Sequence, residues 1–233
     1  MTRPLVTVTN REEAEAVRDH EVGIVDVKNP EEGSLGCASI ETIEEVMEVL
    51  PDGREVSIAL GDLPHLPGTV SMAVKGALQL NPDYIKIGMK GPKNKDEAKE
   101  KLYQASKVLK NSDNDCKLVA AAYADHREHN CVSPIEAVKA AEEAGLDGVM
   151  IDTLSKEDKD LFEFKTEEKL EKFVEEGGDK GLETALAGSI KTHQVEDLKS
   201  KGVDIIGVRG AVCSNERTGS IDTVKLKEFL RKF

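Results

Sequence analysis

Residues 25–36 read VDVKNPEEGSLG. A strand turns successive side chains to opposite faces, so Asp26 and Lys28 share one face while Val25 and Val27 share the other. Valines backed by a charge pair are costly to bury unless the charged face lines a wet cavity. The Pro and Gly that follow break the strand into a turn. Two further runs repeat the pattern. In "DYIKIG", Lys86 opposes Ile85 and Ile87, and in "DGVMIDT", Asp152 opposes Val149 and Ile151.

Outward from these runs, short β-type segments alternate with longer helical patterns along the whole chain. Strands are expected at 5–9, 24–27, 56–60, 84–87, 118–123, 148–151, 184–187 and 205–208. Helices are expected at 11–19, 40–50, 69–80, 95–109, 134–144, 166–176, 194–201 and 223–230. Glycines stop helices just before strands, as in "EAGLDGVMI" and "KSKGVDIIGV". No composition break marks a linker. Eight βα units imply a parallel sheet closed into a single-domain (β/α)8 TIM-type barrel spanning 1–233. The alternative is an open doubly wound sheet, but no G-x-G-x-x-G follows the first strand to support a dinucleotide-binding form of it. In the barrel, the charged faces of strands 2, 4 and 6 all point inward near the C-terminal ends, where barrel active sites lie. The competing reading is an internal ion-pair layer, which adds little stability.

The 233 residues carry a formal charge of −13, with 39% hydrophobic and 33% charged residues. That balance describes a globular chain with a real core and argues against nucleic acid, whose phosphates need a basic footprint. No apolar run approaches the roughly 20 residues that span a bilayer. Residues 1–10 lack the pattern of a signal peptide, so a cytoplasmic enzyme is expected. The four cysteines, Cys37, Cys116, Cys131 and Cys213, form no C-x-x-C pair and read as reduced thiols. His126 and His129 stand three apart, but no further metal ligands can be assigned to them, and no metal is expected. High Lys and Glu with few aromatics suits a thermophilic or salt-tolerant host.

The chemistry follows from the residue types. A lysine in a partly enclosed site loses its proton more readily beside other cations, and a neutral amine attacks an aldehyde or ketone to form a Schiff base. Lys28, Lys86 and Lys156, the last in the loop "TLSKEDK", supply an amine and its activators. Asp26 and Asp152 can hold ammonium groups and move protons. Spacing alone leaves open which lysine is the nucleophile. Near the end of the chain, "ALAGSI" and "GVRGAVC" put glycines at the ends of strands 7 and 8. There backbone N–H groups can approach a phosphate closely, with Ser189 and Arg209 as added donors. The plainer reading is that these glycines only make tight turns. Amine chemistry beside a phosphate cradle points to a small phosphorylated carbonyl compound.

The stretches "DVKNPEEGSLG", "GDLPHLPGT", "YIKIG", "AAAYAD", "DT" ahead of a loop lysine, "ALAGSI" and "GVRGA", in that order over nearly the whole chain, resemble the (5-formylfuran-3-yl)methyl phosphate synthase family. That family is also called 4-(hydroxymethyl)-2-furancarboxaldehyde-phosphate synthase, of methanofuran biosynthesis. The resemblance implies a TIM-type barrel that condenses two molecules of glyceraldehyde 3-phosphate into a phosphorylated furan aldehyde, with loss of phosphate and water. It implies Lys28 as the Schiff-base lysine, Lys86 as a proton donor or acceptor, and Asp26, Asp152 and Lys156 as the rest of the catalytic set. It implies that Gly188, Ser189, Arg209 and Gly210 hold a substrate phosphate, and that no cofactor is needed. The alternatives are another Schiff-base aldolase or sugar-phosphate isomerase, and a non-catalytic sugar-phosphate-binding barrel. Barrels often self-associate, so a homo-oligomer is expected, though no single apolar stripe decides it.

Overall fold

The computed structural model describes residues 1–155 and 159–233, and of residue 216 the backbone only. Eight parallel strands pair in chain order and close on themselves. They are β1 (Arg3–Val8), β2 (Ile24–Val27), β3 (Glu55–Ala59), β4 (Tyr84–Gly88), β5 (Lys117–Tyr123), β6 (Gly148–Asp152), β7 (Glu183–Leu186) and β8 (Ile205–Val208). β1 pairs with β8, so both ends of the chain belong to one (β/α)8 barrel.

Nine helices are described around it: α1 (Arg11–Val17), α2 (Ile40–Val49), α3 (Pro67–Ala77), α4 (Lys95–Lys110), α5 (Pro134–Ala144), α6 (Leu161–Phe164), α7 (Glu167–Asp179), α8 (Val195–Ser200) and α9 (Thr223–Leu230). Local chemistry sets their ends. Asn10 caps α1 by accepting from Glu13 N at 2.9 Å. Ser133 and Glu136 form a reciprocal capping box on α5, and Gly145 ends it in the left-handed region. α3 starts at Pro67 rather than at 69, because a proline in the first turn gives up an N–H that has no helical partner anyway. α7 runs on to Asp179, past the expected end at 176. Its Gly177 packs where a Cβ would lie 2.6 Å from Thr184 Cγ2, so the small residue keeps the helix against β7.

Alternation divides the apolar residues into two cores. Val25, Val27, Ile85, Ile87, Val149 and Ile151 belong to the layer between strands and helices. Val25 and Val27 are fully buried, and each burial stabilises the fold by about 1.5–3 kcal/mol. A smaller cluster, including Leu5, Ile24, Tyr84, Val119 and Met150, fills the barrel interior. Above it the inward positions turn polar. Asp26 stands level with Thr7 of β1 and Ser57 of β3, and Asp152 with Tyr123 of β5.

Candidate active site

A cavity of about 370 Å³ opens at the C-terminal ends of the strands. Thr7, Asp26, Lys28 and Asp152 line its base. Asp26 is fully buried. Its Oδ2 accepts a hydrogen bond from Thr7 Oγ1 at 2.9 Å, and its Oδ1 lies 2.6 Å from Lys86 Nζ. Lys28 Nζ stands 3.7 Å from Asp152 Oδ2. Asp152 Oδ1 also accepts from the backbone N–H of Thr153 at 2.7 Å. The expected inward charges of β2, β4 and β6 therefore meet as two lysine–aspartate pairs.

The two lysines differ in depth. The Lys86 side chain is 3% exposed and lies below the cavity, whereas Lys28 is 12% exposed and lines it. Burial pushes the Lys86 amine down and nearby Lys28 adds to this, against the upward pull of Asp26 and Asp152. Lys156 lies outside the described residues.

Loops from three strands are tied together over this pair of pairs. Ser34, after β2, donates to Thr153 O after β6 at 2.7 Å. Asp62, after β3, accepts from Ser34 N at 3.1 Å and from the Tyr123 hydroxyl. Burial and the Asp62 charge hold the Tyr123 hydroxyl well above its ordinary range, so it remains a donor. Thr7, Ser34, Asp62 and Tyr123 were not among the expected site residues. The one local signal was the inward register of Tyr123, two residues beyond Ala121 on a strand with small inward side chains.

Gly188, Ser189 and Gly210 line the opposite wall of the cavity. Gly188 has φ +109°, and a Cβ there would meet Thr153 Cγ2 at 2.8 Å. Ser189 also adopts a positive φ, +52°, a strained choice for a residue with a side chain. Arg209 lines the wall too, but its guanidinium is fully engaged. Nε donates to Arg217 O at 2.6 Å. Nη1 donates to Thr7 O at 3.1 Å and Glu13 Oε2 at 2.8 Å, and Nη2 to Glu13 Oε1 at 3.1 Å and Gly219 O at 3.2 Å. All five N–H donors meet protein acceptors. The guanidinium as arranged here is a clamp, which departs from the expectation of a direct phosphate donor. Lys159, Lys191 and Arg217 are further cations at the rim.

His126 and His129 do not converge. His129 Nε2 faces Asp125 Oδ2 at 3.2 Å and Ser155 Oγ at 2.8 Å, while His126 Nδ1 faces Lys165 Nζ at 3.3 Å. Asp125, Glu128 and His129 approach one another within 4.8 Å. The Asp125 oxygens, however, already accept from Leu154 N and Ser155 N at 2.9 and 2.7 Å, so this carboxylate anchors the start of the loop after β6.

A family model described as 4-HFC-P synthase matches residues 4–230. The chain belongs to the 4-HFC-P synthase family. Within that family it is 43% identical over 234 residues to the (5-formylfuran-3-yl)methyl phosphate synthase of Methanobrevibacter smithii, covering 98% of this chain and 99% of that protein. It is also 43% identical over 211 residues to the same-named enzyme of Methanopyrus kandleri, covering 91% and 89%. Among solved structures, 3-hexulose-6-phosphate synthase from Salmonella typhimurium superposes with a TM-score of 0.65 at 14% identity over 100% of both chains, a likeness of fold alone. Among the described residues, no helix of this 4-HFC-P synthase family member is long and apolar enough to cross a membrane.

Proposed function

We propose that this enzyme condenses two molecules of glyceraldehyde 3-phosphate into (5-formylfuran-3-yl)methyl phosphate through a Schiff base on Lys28. The observation that carries the choice of lysine is exposure. Of the two inward amines in the described residues of β2, β4 and β6 and their ends, Lys28 reaches the cavity and Lys86 is sealed beneath it.

In this reading the neutral Lys28 amine adds to the aldehyde of one triose phosphate, and loss of water gives an iminium. Asp152, 3.7 Å from Lys28 Nζ, takes the ammonium proton and returns it as the carbinolamine dehydrates. The iminium draws electrons from the neighbouring C–H bond, and the resulting enamine forms the carbon–carbon bond to C3 of the second triose phosphate, the carbon from which phosphate leaves, so that the aldehyde of that second triose remains as the formyl group. Elimination of phosphate, ring closure through a hydroxyl and dehydration complete the furan. Two triose phosphates become one furan phosphate, one phosphate and two waters, with no change of oxidation level and no need for a cofactor. Lys86 and Asp26 form the proton-transfer pair beneath the reacting carbons. Burial favours the neutral amine of Lys86, which suits a proton acceptor. Lys156 completes the catalytic set. The backbone at Gly188, Ser189 and Gly210 cradles one phosphate, and Arg209 holds that cradle in shape.

Borohydride trapping with glyceraldehyde 3-phosphate, followed by peptide mass mapping, tests the first step. A reduced adduct on Lys28 is expected. An adduct on Lys86 would exchange the two roles, and binding without any adduct would remove the covalent step. Lys28→Ala should abolish furan formation, read by ultraviolet absorbance, while leaving the fold intact. An open-chain sugar phosphate as product would replace this reading with an aldolase or isomerase.

A further inference from the structure

Behind β6, outside the barrel, lies a second cavity of about 360 Å³. The strand itself separates the two spaces. Met150 and Asp152 face the barrel mouth, and Ile151 between them faces the second cavity. The two cavities share no lining residue.

The floor of this second cavity is apolar, made by Ile135, Ile151, Phe164 and Phe173. Its wall is cationic. His126 and Arg127 come from the loop after β5, Lys165 follows α6, and α7 supplies Lys169 and Lys172. The carboxylates at the wall are Asp125 and Glu128. Asp125 is committed to Leu154 N, Ser155 N and His129. Lys172 reaches Glu176 at 3.8 Å. Among the described residues, Arg127, Lys165 and Lys169 make no ion pair with a carboxylate.

Lys165 is half-buried, with its amine against His126 Nδ1 rather than an acid. Burial and the charges of Lys169 and Arg127 push that amine down to about 8, against the pull of Asp125. In a chain of net charge −13, cations gathered without partners repel one another, and an anion among them relieves the repulsion. Three unpaired cations suit a dianion better than a single carboxylate. The apolar floor calls for an apolar body on the same ligand.

We infer that this cavity binds a phosphomonoester carrying a compact apolar body, at a site separate from the barrel mouth.

The test uses the full chain, phenyl phosphate as probe and methyl NMR as readout. The Ile135 methyl reports the second cavity, and the Met150 methyl reports the mouth. Phenyl phosphate should shift Ile135 saturably, with a midpoint independent of that for Met150. Lys165→Gln combined with Lys169→Gln should weaken the Ile135 titration by about tenfold or more, from the loss of two charge-assisted contacts, and leave that of Met150 in place. Arg127→Gln, which leaves α7 untouched, should weaken it in the same direction and serves if the double variant does not fold. Absence of an Ile135 shift overturns the site, and so does a shift that follows Met150 and survives the variants. Inorganic phosphate binding at Ile135 as tightly as phenyl phosphate overturns the ligand class.

Discussion

Lys28 and Lys86 share an inward face and an aspartate partner each, yet burial separates them, and under the proposed function it divides their work. An amine that must meet a carbonyl has to stand in the cavity, and an amine that tunes protons can stand behind it. Arg209 shows the same division between touching and holding. Its side chain is 8% exposed and joins β1, α1 and the loop after β8. A lysine offers one compact charge in place of five donors in a planar fork. Arg209→Lys should therefore fail almost as fully as Arg209→Ala. Each should lower stability in urea unfolding by about 2–4 kcal/mol, because Glu13 is left buried beside unpaired carbonyls. Each should also raise KM for glyceraldehyde 3-phosphate as the wall carrying Gly210 loosens. Wild-type stability and KM in Arg209→Lys would show that the fork is not the point of this residue.

The elements were the most legible part of the chain, and the links between them the least. The alternation of Asp26, Lys86 and Asp152 against aliphatic neighbours marks β2, β4 and β6 and the direction of their charges. α5 and α9 keep the bounds expected from their period and caps. α6 escaped because a four-residue turn has no period to read; only its cap, Asp160, accepting from Phe162 N at 3.0 Å, marks it. The ties from Ser34 to Thr153 and from Asp62 to Tyr123 join residues far apart in the chain, which no local pattern can reveal. Lys101 is a similar case. No local pattern on the charged helix α4 singles it out, yet it is fully buried and donates to Gly88 O at 2.6 Å, Leu63 O at 2.7 Å and Lys90 O at 3.3 Å. It thereby fixes the loops after β3 and β4 to α4. Burial pushes its amine down to about 8, against the pull of Asp62. The unfolded chain keeps an ordinary lysine protonated to about pH 10.4, so between those values the unfolded state binds more protons. The contribution of Lys101 to stability should thus rise with pH from about 8 to about 10.4, by roughly 3 kcal/mol in all, and be flat below. Urea unfolding of wild type and Lys101→Met at pH 7, 8, 9 and 10 should give curves that diverge in favour of wild type. Parallel curves would mean that the three carbonyls hold the charge against burial.

Across the whole molecule the barrel has two polar ends with different duties. At the C-terminal ends of the strands, charges line an open cavity. At the opposite end, Arg3 of β1 reaches across the barrel to Glu55 of β3, Glu183 of β7 at 2.6 Å and the Tyr84 hydroxyl of β4 at 2.8 Å. Lys117 of β5 adds contacts to Glu183 and Tyr84 at 3.5 and 3.3 Å. This plug ties five strands into a ring at the end of the barrel away from the candidate active site, as expected of the stability face of a barrel. The Arg3 side chain is about one-third exposed, so water screens the pairs and limits their worth. Arg3→Met should cost about 1–3 kcal/mol, between the values for exposed and buried pairs, and lower Tm by about 2–4 °C for each kcal/mol. Because the plug lies at the far end of the strands from Lys28, kcat and KM at a temperature well below Tm should stay within about twofold of wild type. Thermal melts and steady-state assays on the same preparations separate the two quantities. A large fall in kcat with an unchanged Tm would mean that the ring at the base sets the geometry of the lysines at the mouth, and that the two ends of the barrel act as one.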